Sequence, residues 1–104
     1  MTKTRKELLE ELLADAPDDP ELYYALAMEE VSAGDDAGAV RRFREMFARL
    51  PDYAPAYHQG GLALARLGQA NEARLVLQRG IASAQKAGNL HAADEMRGLL
   101  DSLQ

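Results

Sequence analysis

The chain contains no cysteine and no tryptophan, and only two phenylalanines and four tyrosines. Disulfides, thiolate metal sites and thiol nucleophiles are therefore excluded. The absence of cysteine suits a reducing compartment. With so few aromatics, the core has to be built mainly from Leu, Ala and Met. Long apolar runs are missing too: nothing approaches the roughly 18 residues of a membrane span. The N-terminus, Met1 to Lys6, is polar and lacks the apolar segment of a signal peptide. A cytoplasmic location is the expectation. Lysine is scarce, at three against nine arginines, in keeping with the coding bias of a GC-rich bacterial genome. No stretch alternates apolar and polar residues over β-branched or aromatic positions, so no strand is predicted.

At 104 residues, the chain has room for one domain. Its net charge of −5 argues against a general nucleic-acid binder, which needs a positive surface. The charge is unevenly spread. Glu7 to Asp36 holds eleven acids and no base, whereas Ala37 to Lys86 holds eight bases and three acids. Two oppositely biased solvated faces account for this; a dipolar surface that steers self-association or a charged partner is the sharper reading.

Apolar spacing predicts six helices. The first spans residues 3–15, with Leu8, Leu9, Leu12 and Leu13 as one stripe and Pro17 just past its end. Asp18-Asp19-Pro20-Glu21 reads as a capped helix start. The second helix then runs from Pro20 to Ala33, and Gly34 stops it in a left-handed conformation. The third begins at Asp35 or Asp36 and continues to Arg49, with Arg41, Arg42, Arg44 and Arg49 on its outer face. Pro51 ends it. The fourth covers 54–67, the fifth 69–86 and the sixth 90–103. Gly60-Gly61 falls inside the fourth helix, where each glycine costs about 1 kcal/mol relative to Ala. Such a cost predicts close approach of two backbones, with a neighbouring helix passing there. Connections of two to five residues make successive helices antiparallel neighbours.

The stretch from Pro17 to Pro51 returns 34 residues later. Tyr23 recurs as Tyr57, Gly34 as Gly68, Ala39 as Ala73 and Phe43 as Leu77. The period also runs backwards, since Leu9 precedes Phe43 and Leu13 precedes Phe47 by 34. A fixed period of this length, filled by two helices and a glycine turn, signals stacked helical hairpins. The chain resembles the tetratricopeptide repeat family, whose pattern is W-x2-L-G-x2-Y, then A-x3-F, then P. The matches are Tyr23, Leu26, Ala27, Ala39, Phe43 and Pro51 in one unit, and Tyr57, Gly61, Leu64, Ala73 and Leu77 in the next. Glu30 stands where the pattern has an aromatic, Gly60 where it has Leu, and Gln85 where it has Pro.

The expected architecture is all-α: antiparallel hairpins stacked as a short right-handed superhelix in one domain. Residues 1–16 are a flanking helix, 17–50 the first repeat, 51–87 the second, and 88–104 a capping helix. His91, Asp94 and Glu95 occupy core positions of the pattern in that last helix, so it reads as a solvating cap.

Catalytic signals are weak. Ser32, Ser83 and Ser102 lack a nucleophile elbow, and His58 and His91 lack the spacing of helical metal ligands. No phosphate-binding glycine loop and no calcium loop is present. No cofactor, metal or enzymatic activity is expected. In the resembled family the first helix of each unit lines a concave groove that receives a peptide or a partner helix. The resemblance implies a groove of Glu21, Tyr24 and Met28 from the first unit, and His58, Gln59, Leu62 and Arg66 from the second. Asn89, Ala92 and Met96 would extend it on the last helix. A subfamily that clamps the C-terminal carboxylate of chaperones uses Lys, Asn and Arg. Tyr24, Met28, Gln59, Asn89 and Ala93 stand at those places here, so that clamp is missing. The function implied is a non-catalytic module binding a protein or peptide. Self-association as a homodimer, with the groove partly covered by a second subunit, is the alternative.

Overall fold

A computed structural model describes residues 2–103. Helix α1 spans Arg5–Asp15, α2 Pro20–Ser32, α3 Asp36–Arg49, α4 Ala54–Arg66, α5 Ala70–Lys86 and α6 Leu90–Ser102. There is no strand among the described residues.

Local chemistry explains most of these boundaries. The α1 start is a capping box: the Glu7 N–H donates to Thr4 Oγ1 at 3.1 Å, and the Glu7 carboxylate accepts from the Thr4 N–H. The box moves the start from the expected residue 3 to Arg5. Asp19 caps α2 by accepting from the Glu21 and Leu22 N–H groups, at 2.9 and 3.3 Å. Asp35 caps α3 through the Gly38 N–H at 2.9 Å. Gly34 and Gly68 close α2 and α4 at φ of 78° and 79°. In both turns the following residue's N–H reaches back five residues, Asp35 to Glu30 and Gln69 to Leu64, each at 2.9 Å. Pro17 and Pro51 follow the ends of α1 and α3 by two residues. Gln85 cannot act as they do, so α5 runs to Lys86 and has 17 residues against 14 for α3.

The helices stack in chain order, each packing against the next, over 47 × 29 × 20 Å. The continuous core runs from Tyr23 through Phe43, Phe47, Tyr57 and Leu77 to Met96. Phe47 stacks on Tyr57 with centroids 4.6 Å apart and rings 4° from parallel. The Tyr57 hydroxyl donates to the Pro51 carbonyl at 2.7 Å.

Leu9 and Leu26 are buried but stand outside that continuous core. Leu9 lies on α1 and Leu26 on α2, two helices that pack together. Of the four α1 leucines read as one stripe, only Leu9 is buried. Leu13 is half-buried, while Leu8 and Leu12 remain 48% and 54% exposed. Among the described residues α1 packs mainly against α2, which leaves Leu8 and Leu12 open.

Glu30 takes the place of the family's aromatic and is only 5% exposed. Arg42 Nε donates to its carboxylate, and Lys6 Nζ lies 3.8 Å away. A buried carboxylate requires such pairing.

Candidate functional site

The predicted groove residues lie on α2 and α4. Tyr24 and Met28 are half-buried on α2 and rest against the core; Glu21, one turn earlier, is exposed. On α4, His58, Gln59 and Leu62 are half-buried. Half-burial means that the elements flanking these side chains leave part of their surface to solvent. That surface is largely apolar at Tyr24, Met28 and Leu62.

One contributor was missed by the sequence reading. Tyr53 sits at the N-cap of α4 and makes no capping bond there. Its ring instead packs on Tyr24, with centroids 5.7 Å apart and planes at 59°. Phe43 lies behind Tyr24 at 6.4 Å. Burial pushes the Tyr24 hydroxyl above its ordinary pKa of 10.0, and the neighbouring Tyr53 adds to this. Burial also raises Tyr53, helped by the negative charges of Glu21 and then Asp19. The signal in the sequence was the 34-residue frame, in which Tyr53 is the counterpart of the cap Asp19.

Two predicted residues are otherwise engaged. Met96 is fully buried and lines no groove. Helix α6 is rotated so that Ala93 and Met96 face inward, while His91, Asp94 and Glu95 are exposed. Gly80 makes room for this: a Cβ there would lie 2.6 Å from Met96 Sδ. Arg66 grips Asp36 in a fork of three bonds between 2.9 and 3.1 Å, so its charge is spent within the chain. Of the additional candidates, Asn89 caps α6 through the Ala92 N–H at 3.1 Å, and Ala92 is half-buried.

The arginines of α3 are also committed. Arg42 holds Glu30, Arg44 forks onto Glu72 at 2.7–3.1 Å, and Arg49 donates to the Tyr23 hydroxyl at 2.9 Å. Three of the four thus serve packing between helices. Among the described residues no group of three or more acidic or histidine side chains is placed to hold a metal. None of their helices is long and apolar enough to cross a membrane. A depression of about 780 Å³ lies elsewhere, between α3 and α5.

No protein-family model and no curated protein matches the chain. Solved structures do. A protein of Bordetella parapertussis is 25% identical and superposes with a TM-score of 0.83, over 98% of this chain and 89% of that one. A tetratricopeptide repeat domain protein from Salinibacter ruber is 27% identical, with a TM-score of 0.80 over 85% of this chain and 89% of its own. A point mutant of MamA, at 24% identity and a TM-score of 0.57, shares the fold over 95% of this chain and 66% of its own. Period, helix order and these likenesses agree on the fold: six antiparallel helices stacked as in a short tetratricopeptide repeat array.

Proposed function

We propose that the chain is a non-catalytic interaction module that receives a peptide or partner helix across the half-buried face of α2 and α4. The observation that carries this reading is the set Tyr24, Met28 and Leu62, apolar side chains left partly open to solvent on the first helix of each hairpin. Partly open apolar surface of this kind marks contact sites. In arrays of this type it is also the surface that meets partners.

The Tyr24–Tyr53 pair sharpens the chemistry of the partner. Glu21 and Asp19 belong to the start of α2, the helix that carries Tyr24, and their negative charges act on Tyr53. A cation over a tyrosine face gains about 0.5–2 kcal/mol, and adjacent carboxylates add to the attraction. The partner segment is accordingly one with apolar side chains for Met28 and Leu62 and a lysine or arginine for the aromatic end.

Peptides selected from a display library on the wild-type chain test this. The expected winners combine apolar residues with a basic one, and bind Met28→Asp/Leu62→Asp at least tenfold more weakly while its helical circular dichroism is kept. Equal binding to that variant would place the contact on another face.

A further inference from the structure

We propose that a second surface, the depression between α3 and α5, receives helix α1 of a second copy of this chain. Its lining includes Phe47, Val76, Ala48, Ala82 and Leu75, with Arg79 at its side. Leu75 is 62% exposed, which leaves a large apolar side chain with no cover in the monomer. A volume of about 780 Å³ admits the side chains of one helical turn laid along it.

The charges around the depression are asymmetric. Arg44 is neutralised by its fork onto Glu72. Arg79 is not: its guanidinium lies over the rings of Phe47 and Tyr57, 5.7 and 5.3 Å from their centroids. Among the described residues no carboxylate pairs with it. A positive charge held against an apolar floor selects an occupant that is apolar on one face and acidic beside it.

Helix α1 has that composition. Leu8 and Leu12 are exposed one turn apart, about 6 Å along the axis. Glu7, Glu10, Glu11 and Asp15 surround them and are exposed as well. Leu9 and Leu13 already attach α1 to α2 of its own chain. The helix therefore carries two apolar edges, one docked and one unpartnered. Because α1 is held on its own α2, the depression is filled from another copy. The contact joins two different surfaces: the α1 of one copy and the α3–α5 face of the next.

This asymmetry gives a complementation test. Sedimentation of the full chain is followed over a concentration series at ~10 mM salt, where charges act over ~30 Å. The wild-type mass is expected to rise above 11.4 kDa with concentration. Leu75→Glu alone, and Leu8→Ser/Leu12→Ser alone, change only exposed residues and are expected to associate at least tenfold more weakly. An equimolar mixture of the two variants should regain mass, since the intact α1 of one meets the intact depression of the other. Three results would each overturn the proposal. They are a wild type that stays at monomer mass throughout, a mixture that stays monomeric, and association abolished by Met28→Asp/Leu62→Asp but kept by Leu75→Glu.

Discussion

The hairpin α2–α3 and the hairpin α4–α5 share one 34-residue frame and pack by different means. Leu26 is fully buried where α1 meets α2. Its counterpart is Gly60, facing α3, where a Cβ would lie 2.8 Å from Phe47 Cζ and 3.3 Å from Phe43 Cβ. The facing residues change in the opposite sense, from Leu9 and Leu13 to Phe43 and Phe47. Bulk has moved from one side of the interface to the other. The frame thus preserves the filling of each interface and not the residue at each position, as close packing requires.

The same contrast holds for polar groups. Glu30, ion-paired and buried, corresponds to the apolar Leu64. Tyr23 is steadied by Arg49, which donates to its hydroxyl and lies 5.8 Å from its ring centroid. The counterpart of Arg49 is Ser83, too short for that reach, and its hydroxyl is buried without a partner. Tyr57 turns to the Pro51 carbonyl instead, and Arg79 covers its ring. The cap Asp19 corresponds to Tyr53, which gives up capping for contact with Tyr24.

Exchanging the solutions of the two hairpins tests this comparison. The largest effect is expected from Gly60→Leu, which brings Leu26 chemistry to a site already filled by two phenylalanines. It should cost about 3 kcal/mol in urea unfolding, the upper range for overpacking. Adding Phe43→Leu and Phe47→Leu, the residues of the first interface, should return stability to within about 1 kcal/mol of wild type. Failure of that rescue would show that the two interfaces are not equivalent.

The ion pair comes next. Arg42→Ala leaves Glu30 buried with only Lys6 nearby and should cost about 2 kcal/mol. Glu30→Leu imposes the second hairpin's solution on the first. Its thermal stability should equal or exceed that of wild type, because an apolar group of similar size needs no counter-charge.

The smallest effects concern the caps. Asp19→Ala should lower stability by about 1 kcal/mol. Tyr53→Asp supplies the missing cap to α4 but removes an aromatic contact of similar worth, about 0.5–1.5 kcal/mol. Its melting temperature should therefore stay close to wild type, while peptide binding at the aromatic end weakens.

Much of the fold was legible because its causes are local. Gly60-Gly61 announced a close neighbour. The structure shows two: α3 against Gly60, and α5 against Gly61, where a Cβ would meet Leu77 Cδ2 at 2.6 Å. In both cases side chains, not backbone, fill the space. The candidate site was less legible. Tyr53 was hidden in a turn whose residues read as helix punctuation. Met96 was assigned to the groove by its place in the frame, whereas α6 packs on α5 with Ala93 and Met96 turned inward.

The sequence by itself determined where helices begin and end, their order and their antiparallel stacking. Caps, prolines and left-handed glycines act within a turn or two, and the 34-residue period repeats them. Only the tertiary structure decided which side of each helix is closed. The turning of α6, the capture of Arg66 by Asp36 and the uncovered edge of α1 all depend on neighbouring helices, whose contacting residues can lie some thirty positions apart in the chain. Their meeting is set by packing, which no local pattern encodes.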